Sequence, residues 1–346
     1  MPTKRGITIR DVARRAGVSI TAVSHALNGK GTISDLTREK VQRIADEMGY
    51  QADALARGLR RSRMGVIGLV LRPLDSLGSY APNGVDYFLR FAGASAARAL
   101  DLGLGLMQVG DLTKRPITPL AFSLDGYIVM DPMADDPVVR LLTGREMPYV
   151  TLNRDVFRPE VTNWVASDDT RSSWESFEHL ASRGARSISM VAGTDQNSWN
   201  HDYEEAYRAW CAARGVESRV YRVPEADAEA GGRRAALMLL ADGFPDAVHC
   251  MTGRHAAGLQ SELAQRGLRT PRDYLLLAAS DAEQTRRADP PITAFDLEPE
   301  ALAVATVEKL DALIRGEDTG AGTLVASRLI VRESTAGSSA ESEERA

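Results

Sequence analysis

The sequence has few cysteines and no long apolar run, and each of these scarcities excludes a class of protein. Its two cysteines, Cys211 and Cys250, lie in unrelated segments without a CxxC spacing, so a disulfide framework and a cysteine-based zinc site are excluded. Apolar stretches such as residues 65–71 contain far fewer than the roughly 20 residues that a membrane helix needs. Residues 1–30 are polar and basic and do not have the pattern of a signal peptide. We therefore expect a cytoplasmic protein.

Signatures of catalysis are also missing from the sequence. It contains no GxSxG nucleophile elbow, no GxxxxGK[ST] phosphate loop and no HExxH pair among its five histidines. The run Gly103-Leu-Gly105 lacks the third glycine of a dinucleotide fingerprint and leads into a strand, so it is interpreted as a tight turn. No enzyme is predicted, and no metal or cofactor is expected.

The net charge of −5 conceals an asymmetry along the chain. Residues 1–63 carry 13 Lys and Arg against 6 Asp and Glu, whereas residues 64–346 carry 29 against 41. A small basic segment on a larger acidic one is typical of a nucleic-acid-binding head on an acidic body. On charge alone, a solvated pair of basic helices remains an alternative.

Residues 8–48 have the capping and spacing of three short helices. Thr8 and Asp11 have the spacing of a capping box, apolar residues follow at helical intervals, and Gly17 ends the first helix. The predicted N-caps are Thr8, Ser19 and either Ser34 or Thr37. The predicted buried residues are Ile9, Val12, Ala13, Ala16, Val23, Ala26, Leu27, Val41, Ile44, Ala45 and Met48. Two short helices joined by a turn with glycine form a helix-turn-helix, whose second helix would expose Ile20, Thr21, Ser24 and His25.

This segment resembles the DNA-binding domain of the lac repressor (LacI) family of bacterial transcription regulators. The resemblance runs without a gap from Thr8 to Tyr50, and VSITAVSHALNG is similar to the family's usual VSxxTVSRVLNG. It implies base contacts in the major groove by Ile20, Thr21 and His25. It implies contacts at or near the DNA backbone by Thr8, Arg10, Ser19, Ser24, Asn28, Ser34 and Thr37. His25 stands where Arg is frequent, and because it offers guanine a single donor, we expect a different base preference there.

Residues 51–63 resemble the hinge of the same family, with Ala52 and Asp53 in place of its frequent Pro and Asn. Asp53 can still cap a short helix. Leu59 matches the residue that in the family enters the minor groove between two base steps. The insertion costs free energy because it unstacks the bases, and the additional protein contacts that bent DNA permits offset this cost. Arg57 adds positive charge where the phosphates would lie. An alanine-rich linker helix is the alternative.

Residues 64–332 alternate between short apolar runs and helical segments, which predicts open parallel α/β sheets. The predicted strands are 66–71, 104–109, 126–130, 149–152, 188–192, 247–251 and 275–279. The predicted helices are 91–102, 174–183, 204–214, 233–241, 256–265 and 300–315. The fold class is therefore an all-α helix-turn-helix head, over residues 1–50, plus an α/β body.

The body resembles, more loosely, the effector domain of the LacI family, which has two lobes like a periplasmic sugar-binding protein. The resemblance implies a parallel sheet in each lobe and three chain crossings between the lobes, near residues 184, 295 and 327. It also implies dimerisation through the body, so that two heads meet a near-palindromic operator. The small and charged tail over 333–346 is expected to be disordered.

The cleft between the lobes is where the sequence departs from its family. Sugar-binding members usually carry Arg, Asn-Asp and Gly-Phe/Tyr-Asp-Asp where this chain has Tyr203, Gly253-Arg254 and residues 278–281. Because Arg and Asp make charge-assisted hydrogen bonds to sugar hydroxyls, these changes predict a positive and aromatic lining, and an anionic or aromatic effector rather than a plain neutral sugar. The predicted lining residues are Asn83, Asp86, Tyr87, Trp199, Tyr203, Arg254, His255 and Phe295. Alternatively, these are ordinary surface and packing residues, and the cleft binds nothing.

These observations predict a sequence-specific DNA-binding transcription regulator, most often a repressor in this family, that binds a palindromic operator as a homodimer and responds to a small-molecule effector. One alternative is a DNA-binding regulator whose body only dimerises. Others are an enzyme or a solute-binding protein on the same α/β body, for which the sequence lacks a catalytic constellation or an export signal. Three questions stay open: whether the effector is an inducer or a corepressor, whether the protein represses or activates, and whether it is a dimer or a tetramer.

Overall fold

The computed structural model describes residues 7–28, 33–50, 63–71 and 86–336. The chain divides into two compact units, Met1–Gly65 and Val66–Ala346, which we call the head and the body. No helix within the described residues is long and apolar enough to cross a membrane. Outside the described part lie the predicted hinge over residues 51–62, with Asp53, Arg57 and Leu59, as well as Asn83, the tail beyond residue 336 and the side chain of Asn28.

The described part of the head consists of three helices around a small apolar core. These helices are α1 (Ile9–Ala16), α2 (Ile20–Asn28) and α3 (Asp35–Met48). Gly17 follows α1 in the left-handed conformation, with φ of 66°, which glycine adopts without steric cost. All three helices contribute to the core, through Val12, Ala13, Ala16, Val23, Ala26, Val41, Ile44 and Ala45, with Ile9, Leu27 and Met48 packed against it. The predicted helix-turn-helix and its buried faces are confirmed.

The body contains two six-stranded sheets, one in each lobe. The first-lobe strands are β1 (Val66–Val70), β2 (Gly105–Val109), β3 (Tyr127–Met130), β4 (Tyr149–Leu152), β5 (Trp164–Ser167) and β11 (Thr323–Val325). The second-lobe strands are β6 (Ile188–Ala192), β7 (Arg219–Arg222), β8 (Ala247–Cys250), β9 (Leu275–Ala278), β10 (Thr293–Asp296) and β12 (Arg328–Ile330). The order β11-β5-β4-β3-β1-β2 in the first lobe recurs as β12-β10-β9-β8-β6-β7 in the second. Neighbouring strands are parallel apart from β10 and β12, which confirms the predicted α/β body.

Helices pack on both sheets. Those of the first lobe are α4 (Asp86–Asp101), α5 (Pro137–Gly144) and α11 (Pro299–Arg315). Those of the second lobe are α6 (Asp169–Ser182), α7 (Ser198–Arg214), α8 (Ala228–Ala241), α9 (Gly253–Gln265) and α10 (Glu283–Arg287). In β6, Met190 and Ala192 enter one apolar cluster and Val191 enters another. Because both faces of such a strand are covered, its sequence is continuously apolar instead of alternating.

The chain crosses between the lobes after β5, after β10 and after β11. The last two crossings agree with those predicted near 295 and 327, whereas the first lies earlier than the predicted position near 184. Helix α6 begins at Asp169, directly after β5, and its Phe177 and Leu180 are buried in the second-lobe core. The chain has therefore already crossed when α6 begins.

All seven predicted strands are present, but β5, β7, β10, β11 and β12 were not predicted. Three of them, β7, β11 and β12, lie where a sheet ends, and β7 carries the sequence RVYR while β12 carries RLI. Strands at an edge need little apolar surface, so they give no continuous apolar run for sequence analysis to find.

The C-terminal segment up to residue 336 belongs to the second lobe. The prediction of a disordered tail over 333–346 is wrong for its first residues, since Ser334 and Thr335 are completely buried. Ser334 Oγ donates to the Leu276 carbonyl at 2.6 Å and accepts from the Thr293 N–H at 2.8 Å. These hydrogen bonds to β9 and β10 order a segment whose composition alone is that of a mobile tail.

Candidate functional site

The first turn of α2 presents the side chains expected to read bases. Ser19 precedes the helix, and its Oγ accepts a hydrogen bond from the Ala22 N–H at 3.1 Å. Of the expected readers, Ile20 and Thr21 are exposed and His25 is half-buried, as is Ser24, which is expected to contact the DNA backbone. Ile20 is 46% exposed. The fold gains little from an apolar side chain left in water, whereas the methyl group of a thymine offers it a partner in the major groove.

Polar residues expected at the DNA backbone cap the other two helices. At the start of α1, the N–H and the hydroxyl of Thr8 donate to the Asp11 carboxylate at 3.0 and 2.6 Å. At the start of α3, Ser34 Oγ accepts from the Thr37 N–H at 3.3 Å, which identifies Ser34 as the N-cap. The first N–H groups of a helix attract phosphate, and Arg10 is exposed beside those of α1.

A cavity opens in the body where the carboxyl ends of the two sheets face each other, the edge at which doubly wound sheets place their ligands. Its volume is about 120 Å³, many times the space that one water molecule needs. The first lobe and its crossings contribute Tyr87, Phe88, Asp131, Asn153, Ser167, Asp169 and Leu297. The second lobe contributes Asp195, Asn197, Trp199, Glu225, Thr252, Gly253, Arg254, Ser280, Asp281 and Ala282.

Three aromatic rings form much of the apolar lining. Tyr87 and Phe88 on α4 meet edge to face, with ring centroids 5.2 Å apart at 80°, and Trp199 on α7 adds a third ring. Burial, followed by the charges of Asp131 and Asp169, raises the pKa of Tyr87 well above its usual range. Its phenol therefore stays a neutral hydrogen-bond donor beside rings on which an apolar ligand face can stack.

The charged part of the lining is acidic, so the positive lining expected from the sequence is wrong. The charged residues are Asp131, Asp169, Asp195, Glu225, Asp281 and Arg254. The single arginine donates to the backbone carbonyl of Glu225 at 3.2 Å. Among the described residues, no group of three or more His, Cys, Asp or Glu is arranged to hold a metal ion.

Glu225 is buried, and the protein itself satisfies its carboxylate. It accepts from the Thr194 N–H at 2.9 Å, the Asp195 N–H at 3.3 Å and Asn200 Nδ2 at 2.6 Å. Gly193 lies just after β6 against this carboxylate, and a Cβ at that position would overlap it. The glycine thus lets the carboxylate reach the N–H groups that follow the strand.

Asp281 is also held by protein donors. Arg332 donates to both of its oxygens at 2.9 Å, Thr285 donates at 2.5 Å and Arg286 at 3.0 Å. Burial raises the pKa of Asp281, but these hydrogen bonds outweigh burial and lower it. Arg286 also lies 2.6 Å from Asp86 of the first lobe. Asp86 therefore takes part in an ion pair between the lobes and is not among the lining residues.

Asp169 differs from both of these acids. It is 4% exposed, it is the first residue of α6, and its Oδ1 has no hydrogen-bond partner within the described residues. Burial first, and then the charges of Asp202, Asp131 and Asp168, raise its pKa well above the usual range. The structure therefore favours a neutral carboxylic acid at this point of the cavity wall.

The predicted cleft residues that line the cavity are Tyr87, Trp199 and Arg254. Three others are completely buried behind it. Tyr203 lies one helical turn beyond Trp199 and stacks on His249, with ring centroids 5.6 Å apart. His255 Nε2 lies 3.2 Å from the Pro224 carbonyl, and Phe295 belongs to the second-lobe core. The period of the helix or strand directs these side chains away from the cavity.

Several lining residues that sequence reasoning missed share one signal. Asp131 and Asn153 directly follow β3 and β4, and Asp281 comes shortly after β9. A polar residue just beyond the carboxyl end of a buried parallel strand lies at the binding edge of the sheet, so this rule could have found them. Glu225 had no such signal, because β7 itself was not predicted.

A helix-turn-helix head, joined to a two-lobed body with a cavity at the ends of its strands, defines the class of ligand-responsive DNA-binding regulators. Residues 8–53 match the family described as bacterial regulatory proteins, lacI family, and residues 177–335 match the periplasmic binding protein-like domain. The chain thus joins a LacI-family DNA-binding domain to a periplasmic-binding-protein-like domain, and its relatives are LacI-type regulators. It is a DNA-binding transcription regulator and not an enzyme.

Similarity to known regulators extends over nearly the whole chain. The chain is 26% identical to the probable HTH-type transcriptional repressor ExuR of Bacillus subtilis, over 95% of this chain and 98% of that protein. Its fold is similar to that of the lac repressor dimer bound to operator and the anti-inducer ONPF, with a TM-score of 0.78, 22% identity, and 96% and 99% of the two chains covered. It is also similar to a complex of the regulator CelR with cellobiose, with a TM-score of 0.69, 22% identity, and 95% and 99% covered.

Proposed function

We propose that this regulator is a repressor, that it binds a near-palindromic operator as a homodimer in the cytoplasm, and that a small molecule in the cavity controls this binding. The observation that carries the proposal is the exposed first turn of α2, where Ile20 and Thr21 lie beside the capping residue Ser19. The lac repressor, to which the fold is similar, is a dimer on its operator. Two heads related by a two-fold axis read two half-sites of opposite orientation.

The cavity supplies a route for control, because its lining comes from both lobes. Two ion pairs already join the lobes near it, Asp86 to Arg286 at 2.6 Å and Arg154 to Asp202 at 2.5 Å. A ligand that contacts both walls favours one arrangement of the lobes over others, and its binding is then coupled to that of the operator, typically by ~1–3 kcal/mol. Buried polar atoms that line the cavity without a partner among the described residues favour this interpretation over a body that only dimerises.

The acidic lining argues against an anionic effector, because an anion would meet five acids and one arginine. The second candidate is a neutral sugar, favoured by the three aromatic rings and by the likeness to the CelR complex with cellobiose.

In vitro selection of random duplex DNA by the full-length protein, at one fixed near-physiological salt concentration, tests the proposal. We expect enrichment of a palindrome with a flexible central step. Enrichment of an asymmetric site would contradict dimeric binding, and a pool that stays random with and without small-molecule extract would contradict sequence-specific binding.

The substitution His25→Arg tests the reading helix. Arginine can bind guanine O6 and N7 together whereas histidine offers one donor, so we expect the selected base to change at one position per half-site. The matched control is Arg10→Ala, which should weaken binding evenly across sequences and reduce the salt dependence. An even loss for both variants would show that residue 25 does not read a base.

The substitution Leu59→Ala tests the hinge prediction, which concerns a residue outside the described part of the structure. We expect weaker specific binding and less DNA bending, since the inserted side chain is lost, with the dimer still folded. Gel-shift and circular-permutation assays measure both quantities. Unchanged affinity and unchanged DNA bending would show that Leu59 does not insert into the minor groove.

A further inference from the structure

We infer that the effector carries a protonated amine, whose ammonium group binds beside Asp169 at the first crossing between the lobes. This inference rests on the proposed function, which makes the cavity the effector site. It names the chemical class of the ligand, which neither the family nor the relatives of this chain determine.

The first observation is the incomplete hydrogen bonding of one buried acid in the cavity wall. Asp169 is 4% exposed and lines the cavity, and its Oδ1 has no partner in the described part of the chain. A buried carboxyl group without a partner costs free energy that a suitable ligand group can recover. Glu225 and Asp281, in the same cavity, receive at least three protein hydrogen bonds each. The missing partner is therefore specific to Asp169.

The second observation is that the guanidinium groups of the cavity wall, and those bonded to it, are engaged with other groups. Arg154 lies 2.5 Å from Asp202, Arg332 donates to Asp281, and Arg254 donates to the carbonyl of Glu225. No ion pair joins Asp169 to a described basic residue. A ligand cation would supply what these arginines do not.

The groups that face Asp169 are predominantly acidic. They come from its own turn, from the ends of β3 and β4, and from α4 and α7, and are Asp168, Asp131, Arg154, Tyr87, Asp202 and Tyr203. Three carboxyl groups thus surround Asp169 against one arginine. A single positive charge placed there offsets the effects that raise the pKa of Asp169, so the acid loses its proton when the ligand binds. The resulting carboxylate accepts charge-assisted hydrogen bonds from the ammonium group.

The third observation is the aromatic wall of the same cavity. Tyr87, Phe88 and Trp199 line it, and an ammonium group over such rings is stabilised by the cation–π interaction. Trp199 Nε1 is buried without a partner among the described residues, so it can donate to a ligand hydroxyl. An amino sugar or another hydroxylated primary amine satisfies both features.

Isothermal titration calorimetry on the full-length protein, at a pH where the amines are protonated, tests the inference with two matched pairs. Each pair compares an ammonium ligand with an uncharged analogue: D-glucosamine with D-glucose, and ethanolamine with propan-1-ol. We expect at least one amine to bind about tenfold more tightly than its partner, which corresponds to about 1.4 kcal/mol. Asp169→Asn should remove this preference, whereas Glu205→Gln, which removes an exposed acid on α7, should keep it.

Equal binding within both pairs, a preference for the uncharged members, or no heat from either amine would overturn the inference. So would an equal loss of preference in the two variants, since that would reflect net charge and not Asp169. Operator selection in parallel separates this result from the proposed function. A neutral effector that alters operator binding would overturn only the inference that the effector is an amine. Binding of an amine without selection of any operator would overturn the proposed function.

Discussion

Glu225 and Asp169 line the same cavity and are almost equally buried, at 6% and 4% exposure, yet their surroundings are opposite. Glu225 accepts from two backbone N–H groups and one side-chain amide. Asp169 has an oxygen without a partner among the described residues and faces other carboxyl groups. Burial therefore does not distinguish a structural acid from one available to a ligand, whereas the donors around each acid do.

The largest expected effect comes from Gly193→Ala, which would disrupt the hydrogen bonds of the Glu225 carboxylate. A Cβ at residue 193 would overlap the Glu225 carboxylate, so the substitution combines overpacking with lost hydrogen bonds to a charged group. We expect the free energy of unfolding to fall by about 3 kcal/mol, measured by urea denaturation. If the clash involves this carboxylate, Glu225→Ala combined with Gly193→Ala should be no less stable than Glu225→Ala alone. Fully additive losses would contradict the assignment.

A smaller loss is expected from Glu225→Gln, which keeps the size of the side chain and removes its charge. One acceptor oxygen becomes an NH₂ group among the N–H donors of Thr194 and Asp195, so we expect a loss of about 2 kcal/mol in unfolding free energy. The control Glu205→Gln, on the exposed face of α7, should change it by less than about 0.5 kcal/mol. Equal effects for both variants would show that the Glu225 carboxylate does not stabilise the fold.

The smallest effect, with the opposite sign, is expected from Asp169→Asn. Because the folded-state pKa of Asp169 is raised by burial and neighbouring carboxyl groups, the folded protein keeps a proton that the unfolded chain loses above a pH of about 4. The wild type thus loses stability as the pH rises from there through the folded pKa, and the variant does not. At pH 7 we expect the variant to be more stable, on the order of 1 kcal/mol, with the difference vanishing near pH 4.

Asp281→Asn provides the opposite trend as a control. Burial raises the pKa of Asp281, but hydrogen bonds from Arg332, Thr285 and Arg286 lower it overall. Its ionised form therefore stabilises the fold above the unfolded pKa, and this contribution is lost as the pH falls through the folded pKa. Thermal unfolding of both variants and the wild type across the pH range checks the contrast. If the stability of the two variants relative to the wild type changed with pH in the same direction, the contrast between the hydrogen-bonded Asp281 and the unpartnered Asp169 would be wrong.

The head could be predicted from local sequence because its signals are local. The contact between Ser34 and Thr37, the capping by Ser19 and the left-handed Gly17 all involve residues within a few positions of one another. The apolar face of each helix then repeats at the helical period. Because capping residues and helical periodicity define each of these helices locally, contacts with the rest of the chain have little influence on where they form.

The cavity could be predicted only in part, because it joins distant segments. Trp199 and Tyr203 are both aromatic and one turn apart, and the sequence does not say which of them faces the ligand. The structure places Trp199 in the lining and Tyr203 against His249. The sign of the lining was misjudged for the same reason, since Arg254 was counted without the acids that the other strands bring to it.

The sequence by itself determined the three helices of the head, seven strands of the body and the resemblance to LacI-type regulators, because periodicity, capping and motifs act over a few residues. Only the tertiary structure decided where the chain first crosses between the lobes, that Ser334 and Thr335 complete the second lobe, and which acids receive hydrogen bonds. Each of these depends on contacts between residues far apart in the chain. Their free energies are set by burial and by the donors present at the final position, and neither is encoded in any local stretch of sequence.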